Sequence, residues 1–247
     1  MAPQHLVLDL TVGAVPTFCP TKALAASIEH GPFARRVAVR SATATPCSFA
    51  SFKMNSCFAA ESPGELDAML LADVLEDVVA FRPQPVEVRF FDGERCRSAF
   101  PDLGVLHLDG GVQLWEVKGA TKSPSLVRRL GHLSASLSQV GIEYRVLTST
   151  WLTRSPRQAN ARLLYRHANR PLPSWAAGEI TRVTSCHGPM TLGSLRAQLG
   201  LGLADLAAAA AQGMFAVNLA GAALGEGTPV RLPRTGARSG GFLGMGV

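Results

Sequence analysis

No Cys-x-x-Cys pair occurs in this 247-residue sequence, although it contains five scattered cysteines: Cys19, Cys47, Cys57, Cys96 and Cys186. An odd, unpatterned set is not typical of a disulfide framework or a structural zinc site. The first residues lack a basic segment, and Asp9 interrupts their apolar run, so we expect no secretory signal peptide. The longest apolar stretch, 203–224, is interrupted by Asp205, Gln212 and Asn218, so we expect no membrane span. These absences favour a soluble intracellular protein.

Acidic side chains are almost absent from one part of the chain and concentrated in the part before it. Residues 61–120 carry twelve acidic and five basic side chains, whereas residues 121–170 carry one acidic and nine basic ones. Carboxylates bind hard cations, and a basic surface binds a polyanion. The two segments therefore favour a cation site beside a polyanion-binding surface, with a chance distribution of charge as the alternative.

The pattern between 62 and 167 predicts an alternation of helices and strands. A helix is expected over 62–78, because Ser62, Pro63 and Glu65 form an S-x-x-E capping box with proline at the first helical position. The periodicity after it predicts strands at 86–90, 98–108 and 112–118, a helix at 124–140, a strand at 142–147 and a helix at 156–167. The resulting order is αβββαβ followed by a helix.

The remaining segments predict a second, smaller domain and two peripheral pieces. Helical patterns near 177–187, 192–199 and 203–212 precede short strands at 214–219 and 228–232, which is the order of a winged helix. We therefore expect an N-terminal extension over 1–35, a main domain over 36–170, a winged-helix-like domain over 171–232 and a flexible tail over 233–247.

Three carboxylates and a lysine are predicted to meet in the main domain. Period-two alternation places Glu116 and Lys118 on one face of a strand, and pairing across the preceding turn brings Asp102 close to them. Glu65, one turn into the first helix, supplies a third carboxylate. Such a cluster is costly unless a cation lies within it, and Mg²⁺ prefers oxygen ligands. In this arrangement Lys118 orients a water or neutralises charge in the transition state.

The order PD…ExK on αβββαβ resembles the PD-(D/E)xK nuclease superfamily. Residues 36–170 resemble, more narrowly, the TnsA endonuclease subunit of heteromeric transposases. The matching motifs are Arg40-Ser41, Ser51 with Lys53, Glu61-Ser62 with Glu65, Gln84-Pro85, Pro101-Asp102 and Glu116-Val117-Lys118. The segment 141–152 also looks like the strand that follows the second helix in that family.

This resemblance implies a restriction-endonuclease-like α/β core and a Mg²⁺-dependent DNA endonuclease, with Mn²⁺ as a substitute ion. The enzyme would nick the 5′ ends of a transposon in the bacterial cytoplasm, associated with the nucleoid when active. Glu65, Asp102 and Glu116, with Val117 between the strand residues, would form the metal site, and Lys118 would be the catalytic lysine. The implied partners are double-stranded DNA, a TnsB-like transposase and a TnsC-like ATPase regulator.

Basic residues outside the cluster are predicted to bind the DNA backbone. They are Arg40, Lys53, Lys122, Arg128, Arg129, Arg154 and Arg157. Gln84 is a candidate for positioning the substrate. The would-be recognition helix, 203–212, contains neither Lys nor Arg, so we expect the small domain to dock protein rather than to read DNA.

Other interpretations of the same residues stay open. Glu65 could serve only as the cap of its helix, and Asp102 could be an ordinary turn residue after Pro101. Glu116 and Lys118 could lie on a solvent-exposed face of their strand. At the level of the protein, the alternatives are a stand-alone restriction or repair nuclease and a non-catalytic DNA-binding adaptor.

Overall fold

Helices and strands alternate along the chain in a computed structural model that describes residues 5–11, 18–34, 47–119, 123–154, 156–186 and 190–233. The protein has a mixed α/β fold, as expected. It divides into two units, one formed by Met1–Asp73 with Ala80–Thr153 and the other by Val74–Val79 with Arg154–Val247. None of the described helices is both long and apolar enough to cross a bilayer.

The first unit contains most of the strands. Its elements are β1 (Leu6–Leu10), α1 (Pro20–His30), β2 (Cys47–Ser51), β3 (Ser56–Ala60), α2 (Pro63–Val74), β4 (Val78–Pro83), β5 (Val86–Phe91), β6 (Cys96–Ala99), β7 (Leu103–His107), β8 (Val112–Lys118), α3 (Pro124–Ser138), β9 (Glu143–Thr148) and α4 (Ser149–Leu152). The predicted strand over 98–108 is in fact two strands, β6 and β7, and β4 was not predicted.

A four-stranded sheet in the order β4-β7-β8-β9 forms the centre of this unit. β7 and β8 are antiparallel, whereas β9 runs parallel to β8 and is reached through α3. Parallel neighbours begin at the same end of the sheet, so the chain must cross back over the sheet between them, which a tight turn cannot do. A second sheet has the order β1-β5-β6, and β2 with β3 forms a hairpin.

The described part of the first 34 residues contributes to the core and is more than an extension. β1 pairs in parallel with β5, and Leu24 and Ile28 of α1 are fully buried. α1 comes so close to β7 that a Cβ atom on Gly104 would lie 2.9 Å from a side-chain carbon of Ile28. The absence of a side chain at Gly104 is what allows this approach.

α2 begins as its capping box predicts but ends earlier. The Ser62 hydroxyl accepts a hydrogen bond from the Glu65 amide at 3.2 Å, and the Glu65 carboxylate accepts one from the Glu61 amide at 2.9 Å. The helix ends at Val74. The residues from Val78 onward form β4, and most of their side chains are buried in the sheet. The predicted end at residue 78 is therefore wrong by four residues.

A buried carboxylate attaches the β2–β3 hairpin to the end of α2. Asp73, which is fully buried, accepts hydrogen bonds from the Ser51 hydroxyl at 2.5 Å and from the Phe52 and Lys53 amides. Burial raises the pKa of Asp73 to about 6, although the Ser51 hydroxyl and the Lys53 charge act in the opposite direction. The Lys53 ammonium donates to the carbonyl of Ala72 at 2.8 Å.

The second unit is mainly helical. Its elements are α5 (Arg157–His167), α6 (Ala176–Cys186), β10 (Met190–Thr191), α7 (Leu192–Leu199), α8 (Leu203–Ala211), β11 (Ala216–Val217) and β12 (Pro229–Arg231). The three short strands form an antiparallel sheet in the order β10-β12-β11. Three helices and a small sheet agree with the predicted order of elements, with β10 as an addition.

The division between the units lies at Thr153, one helix earlier than the boundary predicted at 170. α5 belongs to the second unit because it packs against α8 there. Its Asn160 side chain, 3% exposed, donates to the carbonyls of Leu219 and Ala222 and accepts from the amide of Leu224. The alternation over 36–42 also predicts a short strand, but this segment, the start of the main domain at 36 and nearly all of the tail lie outside the described residues.

Replacing Ser51 by Ala should lower the free energy of unfolding by about 1–3 kcal/mol, because a buried carboxylate loses a hydrogen-bond donor. Urea unfolding of both proteins at neutral pH measures the difference. Ser48→Ala on the same strand is the control, since Ser48 is exposed and should tolerate the change. Equal losses for the two variants would show that the contact with Asp73 contributes nothing.

Candidate active site

Pairing between β7 and β8 brings together the residues predicted to form the site. Leu103 is opposite Trp115, and one further step in this register places Asp102 opposite Glu116. Directly opposed residues of an antiparallel pair have side chains on the same face. Lys118, two residues beyond Glu116, shares that face because side chains alternate along a strand.

Three of the four predicted residues are in contact through the lysine. The Lys118 ammonium lies 2.5 Å from Glu116 Oε1 and 4.0 Å from Asp102 Oδ2. The backbone amide of Val117 donates to Asp102 Oδ2 at 2.6 Å. Between 12% and 28% of these three charged side chains is exposed, so they are shielded from bulk water while a path to solvent remains.

Glu65, in the first turn of α2, is related to the cluster by its charge. Its carboxylate oxygens accept hydrogen bonds from the Ser62 hydroxyl and the Glu61 amide, so they are engaged at the start of the helix. Its negative charge nevertheless acts on both Asp102 and Lys118. The helix end packs tightly on β8, because a Cβ atom on Gly64 would lie 2.8 Å from Val117 Cγ1. Capping the helix and contributing charge to the site are therefore compatible.

The electrostatics of the cluster are dominated by burial and by negative charge. Burial raises the pKa of Asp102 to about 7, the neighbouring charge of Glu116 adds to this, and the Val117 amide and Lys118 oppose it. Burial acts to lower the pKa of Lys118, but Glu116 and Asp102 outweigh it and the net shift is upward. Lys118 thus stays a charged ammonium, whereas Asp102 gives up its proton at a higher pH than an ordinary aspartate does.

The chemistry of these side chains fits a divalent cation in donor type and charge. Glu65, Asp102 and Glu116 offer only oxygen donors, and their three negative charges face the single ammonium of Lys118. Within the described ranges, no set of three or more Asp, Glu, His or Cys side chains is placed so as to hold a metal ion. Lys118, at 2.5 Å from Glu116, is the counter-charge in this arrangement.

Gln84 fixes the position of Asp102 through its backbone. Its amide donates to the carbonyl of Asp102 at 3.1 Å, and its own carbonyl accepts from the amide of Ala34. Gln84 is 2% exposed and has a φ of 44°, which is unfavourable for a residue with a side chain. Such strain costs about 1–3 kcal/mol and persists only where the surroundings impose it. The role in positioning substrate that the sequence predicts for Gln84 stays a prediction.

Tyr144 was missed in the sequence and lies beside the predicted residues. It is opposite Leu114 in the parallel pairing of β8 and β9, so its side chain is on the face that carries Glu116. Burial raises the pKa of Tyr144 well above its usual value, and the charges of Glu116 and Asp102 raise it further. The signal that points to this residue is its position in the strand that follows α3, which pairs with the E-x-K strand.

The basic residues predicted to bind DNA are found in different places. Arg128 and Arg129 line a cavity of about 340 Å³ with Arg97, Ser123 and Ser125. Asp92 and Glu94 also line this cavity, and the Asp92 carboxylate forms a 2.5 Å ion pair with Arg97. Neither Arg128 nor Arg129 forms an ion pair within the described part of the chain. The charge of Arg129 acts on Tyr144, where it opposes the effect of the carboxylates.

Lys53, Arg154 and Arg157 are not among the residues that line this cavity. Lys53 directs its ammonium to Ala72, and Arg154 and Arg157 belong to the second unit. Arg40 and Lys122 lie outside the described residues. In the predicted recognition helix, Leu206 and the five alanines that follow it are buried within the second unit. These apolar side chains serve the core of that unit, so they are not presented to a DNA groove.

Replacing Asp102 by Asn should stabilise the metal-free protein above neutral pH. A carboxyl group whose folded-state pKa is raised to about 7 favours folding while protonated, and this contribution is lost as the pH rises from about 4 to 7. Each pKa unit corresponds to about 1.4 kcal/mol. The free energies of unfolding of the two proteins should diverge between about pH 4 and pH 7, with the variant more stable at the higher pH. A constant difference across this range would contradict the assignment.

Comparison with known proteins adds no relative to this description. No protein-family model and no curated protein matches the sequence. The function is therefore argued from the arrangement of Asp102, Glu116, Lys118 and Glu65, and from the residues that surround them.

Proposed function

We propose that this protein is a metal-dependent DNA endonuclease of the PD-(D/E)xK type. The observation that carries the proposal is the meeting of Asp102, Glu116 and Lys118 on one face of the β7–β8 pair, with the charge of Glu65 acting on them from α2. A solvated strand face does not explain a half-buried carboxyl group whose pKa is raised to about 7.

The order of elements around the cluster supports the same proposal. A helix that contributes a carboxylate, an antiparallel pair that contributes three charged residues, and a parallel strand reached through a helix form one unit. Taken alone, the four-stranded sheet and its helices follow the order α2-β4-β7-β8-α3-β9, which agrees with the αβββαβ order that the motif resemblance implies. β5 and β6 are inserted between β4 and β7 and pair with β1 in a separate sheet, so the predicted strand over 86–90 is not part of the sheet that carries the cluster.

The proposed chemistry is hydrolysis of a phosphodiester. Glu65, Asp102 and Glu116, with the backbone of Val117, would hold Mg²⁺, which activates a water and stabilises the leaving oxygen when bound. The Val117 amide keeps Asp102 oriented, and the strained Gln84 fixes the backbone from the other side. Lys118 supplies a permanent positive charge for the phosphate oxygens as negative charge accumulates in the transition state.

We further propose that the substrate is the 5′ end of a transposon and that the protein acts as a TnsA-like subunit. The support is the ordered motif set, which includes the Gln84-Pro85 and Ser51-x-Lys53 segments as well as the cluster. The second unit presents no basic recognition helix within its described residues, since α8 is buried. Choice of the DNA site would then come from a TnsB-like transposase, with a TnsC-like ATPase as a regulator.

Nicking of supercoiled plasmid in Mg²⁺ or Mn²⁺ tests the proposed activity. Asp102→Asn and Lys118→Ala should each reduce it by about 100-fold or more, because each removes a charge that acts on the metal or the transition state. Assays with and without a partner transposase separate a subunit from a stand-alone nuclease. Asp109→Asn is the matched control, since Asp109 lies exposed in the adjacent turn. Undiminished nicking by Asp102→Asn would refute the proposal, and no nicking in any assembly would favour the adaptor.

Replacing Arg128 and Arg129 together by Ala should weaken binding to any duplex DNA and reduce its dependence on salt. Each lost phosphate contact should lower the slope of log affinity against log salt by about 0.9. Fluorescence anisotropy at several salt concentrations measures this slope. Arg89→Ala, which removes one exposed arginine paired with Glu87, is the charge-matched control for each single variant, Arg128→Ala and Arg129→Ala. An unchanged slope in the double variant would exclude the cavity as a phosphate site.

A further inference from the structure

The hydroxyl group of Tyr144 is buried close to the Glu116 carboxylate, yet it forms no hydrogen bond of normal geometry within the described part of the chain. Buried polar groups are nearly always paired, so an orphaned hydroxyl in a site calls for an explanation. A phenylalanine would fill the same apolar space without leaving a polar atom unpaired. The hydroxyl is therefore not explained by packing.

The position of Tyr144 relates it to Glu116. In the parallel register Tyr144 is opposite Leu114, and Glu116 is the next residue of β8 on the same face. The Tyr144 hydroxyl and the Glu116 carboxylate are close enough to interact. One oxygen of Glu116 is engaged by the Lys118 ammonium at 2.5 Å, whereas Asp102 Oδ2 is engaged by the Val117 amide.

We propose that Tyr144 is a positioning residue that donates a hydrogen bond to Glu116 once a divalent cation replaces the Lys118 ammonium beside that carboxylate. The inference rests on the proposed function and deepens it, because it names the rearrangement by which the site accepts its metal. Lys118, released from Glu116, becomes free to contact a phosphate oxygen of the substrate.

The rearrangement follows from the charges that meet at Glu116. An ammonium and a divalent cation repel each other, so a cation bound to Glu116 weakens the contact of that carboxylate with Lys118. A carboxylate that binds a metal needs a further partner to hold its orientation, and removing such partners commonly costs 10–100-fold in metal affinity. A neutral donor is suited to this role because it adds no charge to oppose the metal, whereas Lys118 and Arg129 are both cations.

Mn²⁺ binding by the full-length Tyr144→Phe variant tests the inference without DNA or activity. Electron paramagnetic resonance counts free Mn²⁺ in titrations of the wild type and variants. We expect Tyr144→Phe to bind Mn²⁺ about tenfold more weakly. Its thermal unfolding midpoint without metal should be equal to or above that of the wild type, because an unpaired hydroxyl has been removed. Tyr165→Phe, which alters the only other tyrosine, should leave Mn²⁺ affinity unchanged.

The outcomes separate this inference from the proposed function. If Asp102→Asn weakens Mn²⁺ binding but Tyr144→Phe binds as the wild type does, the role of Tyr144 is refuted and the metal site stands. A lower unfolding midpoint of metal-free Tyr144→Phe also refutes it, since the hydroxyl then has a structural partner. If the wild type and Asp102→Asn bind Mn²⁺ equally, both the proposed metal site and the role of Tyr144 are refuted.

Discussion

The contact between the Lys118 ammonium and two carboxylates is the interaction on which the site depends. The β7–β8 register forces Asp102 and Glu116 onto the same face at opposed positions, so their charges repel in a partly buried place. Lys118, two residues along the same strand, supplies the compensating charge at 2.5 Å from Glu116 and 4.0 Å from Asp102. Removing the lysine alone would leave two buried carboxylates uncompensated, which costs more than the pair itself contributes.

The rest of the first unit holds this charged group in a fixed geometry. α2 presses its first turn onto β8 at Gly64, and the capping box fixes Glu65 at that point. On the other side, the strained backbone of Gln84 donates to Asp102. Strain, burial and close packing therefore converge on one strand pair. Backbone strain and buried charge in one place lower stability, so their combination is typical of a functional site.

The sequence predicted those features that depend on short-range rules. The S-x-x-E box placed the start of α2 correctly, and period-two alternation placed Glu116 and Lys118 on one face. Long-range features were not predictable in this way. The pairing of β1 with β5 joins residues about 80 positions apart, and the Lys53 ammonium ends on Ala72 rather than at a surface. Tyr144 was missed because its relation to Glu116 exists only after β9 has paired in parallel with β8.

A site built on a lysine counter-ion has a consequence for the order of binding. Because Lys118 already neutralises Glu116, a divalent cation must compete with an ammonium that is part of the same strand. The competition weakens when another anion engages the ammonium, and a DNA phosphate is such an anion. Under the proposed function, metal and DNA should therefore bind cooperatively, each lowering the cost of admitting the other. The protein would then assemble its full hydrolytic site only on DNA, which suits an endonuclease that must not cut until it is placed at a transposon end.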